Sequence, residues 1–162
     1  MKLRIEDFPT FARPFLKLFH VDFAPLRQPP WGLVGLATVV SLVGSLVADA
    51  LLVAIGTRVF PSTKGYGHFH FSDYSKLTII GVLIACVGWS IVTRITSTPR
   101  WLFLRAALAV SVVLLLPDAF IWYQGASIQA VFVLVWMHFA IALVTYNALV
   151  RLAPISHARH AR

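Results

Sequence analysis

WGLVGLATVVSLVGSLVADALLVAI, residues 31–55, places one charged side chain, Asp49, in a run of apolar and small residues. About 20 such residues carry a helix across roughly 30 Å of hydrocarbon. Three further runs follow, at Leu77–Val92, at Ala106–Leu116 with its flanks, and at Ala130–Val150. In lipid every backbone polar group needs an internal partner, and a helix supplies one within each crossing segment. The chain therefore reads as an all-α integral membrane protein, a four-helix bundle over residues 31–150. An amphipathic interfacial segment (1–30) precedes the bundle, and a basic tail (151–162) follows it.

Composition agrees. The 162 residues are 59% hydrophobic and 12% charged, with a mean hydropathy of +0.80. A soluble domain carries about 25% charge. Four crossings use about half the chain, which leaves no room for a second folded domain. The net charge of +8 is a matter of membrane topology, because basic residues gather on the cytoplasmic side. Lys2, Arg4, Arg13, Lys17 and Arg27 precede the first span, and Arg94, Arg100 and Arg105 surround the second loop. Arg151, Arg159 and Arg162 follow the fourth span, while the opposite side holds Arg58, Lys64 and Lys76. Both termini are expected in the cytoplasm, in a cell membrane. The lipid bilayer is the expected partner of the basic tail, and no folded basic surface points to nucleic acid. Cys86, the single cysteine, excludes an internal disulfide and a CxxC redox pair. The first 30 residues contain no continuous apolar stretch of a cleavable leader, so the first span is expected to direct insertion.

In the N-terminal segment Phe8, Phe11, Phe15, Phe19 and Phe23 recur every three or four residues, as on one helical face. Such a face lies among acyl chains at the interface. Pro9, Pro14 and Pro25 oppose one unbroken helix, so the spacing predicts a short, kinked interfacial helix. Thr38, Ser41, Ser45 and Asp49 project from one face of span one, with Gly56 on the same side. Thr78, Gly81, Ala85 and Gly88 step along span two in the same way. Small residues in rows let helices approach closely in lipid, and both faces are expected to look inward.

Asp49 and His138 require a reason, because ionisable groups at membrane depth are costly. At 1.5 Å per residue Asp49 lies about 9 Å below Ile55, the outer end of span one. By the same rise His138 lies about 14 Å below Gln129. The two meet in the outer half if spans one and four are neighbours, with Asp118 above them at the rim. A proton-linked or ligand-binding cluster of Asp49, His138, Asp118 and Ser45 is one reading. An interhelical hydrogen bond that only fixes packing, with Asp49 satisfied by Ser45 or His138, is the other.

The outer loop from Arg58 to Lys76 contains His68-Phe69-His70. An extended strand would set both imidazoles on one side. Asp73 or Asp118 would complete a zinc or copper site. His157 and His160 in the tail are weaker metal candidates. A transmembrane haem would need two deep histidines, and only His138 is deep. The chain has no glycine-rich nucleotide loop, no GxSxG and no cysteine nucleophile with a base. A membrane hydrolase would rest on Asp49, Asp118 and His138 alone. No cofactor is implied.

Leu114-Leu115-Leu116-Pro117-Asp118, followed by Val133-Leu134-Val135-Trp136-Met137-His138-Phe139-Ala140, resembles a group of small four-span proteins. These are common in actinobacteria and classed as domains of unknown function. Their third span ends in a similar Leu-Pro stretch, and their alanine-rich fourth span carries one histidine. The resemblance covers about residues 31–150. It implies a four-helix bundle with a notable His138, and no activity. The phenylalanine-rich segment and the His68–His70 loop fall outside it.

The first functional expectation is a non-enzymatic accessory or assembly subunit of a membrane complex, or a small homo-oligomer. The second is a small proton-linked transporter or ligand-binding bundle. The third is a membrane-embedded metal protein or enzyme centred on the His68–His70 loop.

Overall fold

A computed structural model describes residues 5–21 and 28–155. A 3-10 turn at Ile5–Asp7 leads to a six-residue helix, α1 (Arg13–Leu18). Four long helices follow: α2 (Trp31–Val59), α3 (Phe71–Ile95), α4 (Pro99–Tyr123) and α5 (Ile128–Leu152). All four are long and apolar enough to cross a membrane. The protein is an all-α four-helix membrane bundle.

The helix boundaries follow local chemistry. Pro30, at φ −56° and ψ 139°, holds the chain extended just before α2, and its ring disfavours helix in the residue ahead of it. Pro99 opens α4, where a missing N–H costs nothing. Ser127 caps α5 by accepting the Ala130 N–H at 3.2 Å. Gly125, at φ +99°, makes the turn between α4 and α5 in a conformation that side chains resist. Pro117 stands inside α4, which continues past it to Tyr123.

The expected bounds of the outer loop need correction. The segment from Phe71 to Lys76 belongs to α3, not to the loop. Tyr74 and Ser75 are buried there, and Asp73 sits in the first helical turn, where the helix dipole favours an anion. The remaining loop is wound into 3-10 turns at Pro61–Thr63 and Gly67–Phe69.

Neighbouring helices run antiparallel, and α5 closes the ring by packing along α2, the most extensive of the seams. A Cβ on Gly44 would meet Val144 Cγ1 at 2.9 Å, and a Cβ on Gly56 would meet Val133 Cγ2 at 2.5 Å. These glycines bring the α2 and α5 backbones together. The expected row on α3 behaves differently. Gly81 faces open space and Gly88 only touches the Phe103 ring at 3.9 Å. The buried face of α3 is set one residue over, at Thr78, Val82, Cys86, Trp89 and Thr93, with Ala85 half-buried.

Two apolar clusters fill the bundle. Ala37, Val82, Cys86, Trp89, Phe103 and Leu149 pack toward the end where α2 begins and α5 finishes, the terminal end. Phe69, Tyr74, Ala130, Val133, Leu134 and Met137 pack at the far end. Between them lies a polar layer that includes Ser45, Asp49 and Thr78. Aliphatic side chains such as Val43, Val47, Leu51, Ile84, Val112 and Leu143 remain outside and exposed, which suits lipid.

The N-terminal segment docks on the α3–α4 turn. Val21 forms an antiparallel bridge with Thr96, and the Thr96 hydroxyl donates to the His20 carbonyl at 2.6 Å. His20 adopts φ +51°, and its ring meets Trp101 edge-on at 4.8 Å. Phe11 and Phe15 are 77% and 63% exposed, Phe19 is exposed and Phe8 half-buried. Pro14 stands in the first turn of α1, where proline is tolerated, and the helix is six residues long. Phe23, His157 and His160 lie outside the described residues.

Candidate functional site

The α2 stripe faces inward as its phase requires: Ser41, Ser45 and Asp49 are wholly buried, and Gly56 is buried on the same face. The Ser41 hydroxyl returns to the Ala37 carbonyl at 2.7 Å. Asp49 receives the Thr78 hydroxyl on Oδ2 at 2.6 Å, and Oδ1 has no hydrogen bond. Thr78, which sequence reasoning placed only on a small-residue face, is thus the partner of Asp49. An acidic residue on one span and a hydroxyl on the next at complementary depth was the available signal.

His138 pairs across α4–α5. Its Nδ1 lies 2.9 Å from the Leu134 carbonyl and 3.3 Å from Asp118 Oδ2. A carbonyl only accepts, so Nδ1 carries the hydrogen and directs it at Leu134. Asp118 Oδ2 is therefore within ionic reach of the imidazole yet without a hydrogen bond. In this tautomer Nε2 holds the lone pair. Asp118 is 5% exposed, and the His138 side chain 24%.

The expected Asp49–His138 contact is replaced by Asp49–Thr78 and His138–Asp118, although Asp49 and His138 remain close enough to interact through space. Side-chain direction explains the exchange. By backbone rise Asp118 is about 8 Å from the far end of α4, and His138 about 15 Å from the start of α5. Helical side chains lean toward their own N-terminus. In antiparallel α4 and α5, Asp118 therefore leans inward while His138 leans outward, and the two meet between those levels.

The cluster reaches toward the far-end loop. Asp118 interacts electrostatically with His68 and Tyr66. The Tyr66 hydroxyl is buried without a hydrogen-bond partner, and burial, with the Asp118 charge behind it, raises its phenol above the ordinary range. Toward the other end, Ser45 Oγ and Thr145 Oγ1 are also buried and unpaired. Among the described residues, five buried polar side-chain atoms from α2, α4, α5 and the far-end loop thus lack hydrogen bonds, a concentration that marks this layer as the candidate site.

The metal expectation is not met in this geometry. Gly67–Phe69 forms a 3-10 turn, so His68 and His70 do not share the side of an extended strand. Among the described residues, no three His, Cys, Asp or Glu side chains are grouped to hold a metal. Instead, His68 packs edge-on against Tyr66 at 5.3 Å.

Comparison with protein-family models, curated proteins and solved structures finds no match to this chain.

Proposed function

We propose that this chain is a non-enzymatic integral membrane protein in which the Asp118–His138 pair, with Asp49 behind it, links bundle packing to proton uptake. It acts as an accessory component of a membrane complex or as a small homo-oligomer. The observation that carries this reading is the 3.3 Å approach of Asp118 Oδ2 to His138 Nδ1, with the Nδ1 hydrogen held by Leu134. A proton added at Nε2 would make the ring a cation beside a carboxylate whose Oδ2 accepts no hydrogen bond among the described residues. The α4–α5 contact changes from a dipolar one to an ion pair. At low dielectric such a change is large compared with its value in water.

Membership of the small four-span group that the Leu114–Asp118 and Val133–Ala140 stretches resemble is part of this proposal. So are residence in the cell membrane and cytoplasmic termini: eleven basic residues stand on the terminal side and three on the other. Solute transport has less support. The surface grooves of about 190 and 180 Å³ touch none of Asp49, Asp118 and His138.

Unfolding of the purified protein in detergent at neutral and mildly acidic pH tests the reading. The wild type is expected to change stability between the two conditions, and Asp118→Asn and His138→Gln to lose most of that change. An equal change in all three proteins would refute proton linkage at this pair. Affinity purification in mild detergent tests the accessory role. That role fails if the protein purifies alone, makes no self-contact and moves a solute in liposomes.

A further inference from the structure

At the terminal end of the α2–α3 seam a groove of about 180 Å³ opens between Gln28, the first turn of α2 at Trp31 and Val34, and the last turns of α3 at Ser90, Thr93 and Arg94. Its wall is fixed by a reciprocal pair of hydrogen bonds. Gln28 Nε2 donates to the Thr93 carbonyl at 2.9 Å, and the Thr93 hydroxyl donates to Gln28 Oε1 at 2.9 Å. The Arg94 guanidinium sits at the mouth, 5.9 Å from the centre of the Trp31 ring. Among the described residues it forms no ion pair, although it carries five donors.

Depth and charge define what fits. Trp31 begins α2 and Arg94 is one residue from the end of α3, so the mouth stands at headgroup level. The lining turns apolar toward Val34, and Ile91 is 51% exposed on the neighbouring lipid face. Among the described residues this end carries Arg13, Lys17, Arg94, Arg100, Arg105 and Arg151 against Glu6 and Asp7. A guanidinium with no ion pair among the described residues, above an apolar slot, matches a phosphate attached to an acyl chain, because its planar fork fits phosphate oxygens.

We propose that this groove is a binding site for one anionic phospholipid, with the phosphate on Arg94 and the upper acyl chain along Trp31 and Val34. Gln28 holds the wall and does not touch the phosphate. The site is independent of the proton-linked cluster at the far end.

Native mass spectrometry of the full chain in mild detergent, titrated with phosphatidylglycerol and phosphatidylcholine, tests this. Phosphatidylglycerol is expected to be retained in preference. Arg94→Gln should weaken its binding about tenfold, as for loss of a charge-assisted hydrogen bond. Arg94→Lys should keep part of the affinity, and Arg100→Gln, on the same basic end, should change little. Gln28→Ala should weaken binding without removing charge. Equal retention of the two lipids would remove the preference for an anionic headgroup and overturn the site; an Arg100→Gln loss as large as that of Arg94→Gln would reduce it to general surface charge and overturn it as well. Displacement by glycerol phosphate at comparable concentration would make it a site for free phosphate esters and refute the lipid assignment.

Discussion

Gly56→Ala should destabilise the bundle, although alanine is the better helix former. In a helix interior the exchange gains about 0.8–1.0 kcal/mol. Here the new methyl would lie 2.5 Å from Val133 Cγ2 and 3.2 Å from Cγ1, against an optimum of about 3.5–4.0 Å between carbons. A helical valine has one strongly preferred rotamer, so Val133 cannot swing aside. Overpacking costs about 1–3 kcal/mol, which leaves a net loss of about 0–2 kcal/mol. Gly81 provides the internal control, since a Cβ there meets nothing within 4 Å; Gly81→Ala should stabilise by about 1 kcal/mol. In a Val133→Ala background both γ carbons are absent, and Gly56→Ala should change sign and stabilise by a similar amount of about 1 kcal/mol. Reversible unfolding in mixed detergent micelles, followed by circular dichroism, measures the whole double-mutant cycle. If Gly56→Ala and Gly81→Ala stabilise the wild type equally, the close α2–α5 approach is wrong.

Two further outcomes follow from the polar layer. Thr78→Val removes the only hydrogen bond to the Asp49 carboxylate among the described residues and should cost about 1.5–3 kcal/mol in the same unfolding assay, with Thr78→Ser largely retaining stability. Tyr66 tests the loop above the cluster. Its phenol is raised by burial and by Asp118, so the neutral form is favoured in the folded state. Its contribution is complete below the ordinary tyrosine range and falls as pH rises through about 10. Alkaline unfolding of Tyr66→Phe should therefore show a shallower loss of stability than the wild type.

The bundle was legible because lipid imposes a simple rule on length and hydropathy, and four runs obeyed it. The inward phase of Ser41, Ser45, Asp49 and Gly56 was also legible, since polar and small residues on one face cannot turn toward hydrocarbon without cost. Partner choice was harder to read. Backbone depth places Asp118 above His138, but the lean of each side chain toward its own N-terminus closes that gap. The α3 glycines looked like a packing seam from spacing alone, whereas Gly44 and Gly56 make the close approach because they oppose Val144 and Val133 on a helix distant in sequence. The first turn of α3 read as loop, since Asp73 and Lys76 broke the apolar run. The dock of His20 and Val21 on Thr96 depends on a turn 75 residues away, and local pattern contains no sign of it.

The most direct test of proton linkage is nitrogen NMR of histidine-labelled protein, with His138 assigned by its loss in His138→Gln. The account predicts that the neutral ring holds its hydrogen on Nδ1, toward Leu134, and that acid adds the second proton on Nε2 while Nδ1 keeps its hydrogen. A neutral ring that carries its hydrogen on Nε2, or a His138 signal that stays neutral until the bundle unfolds, would contradict it.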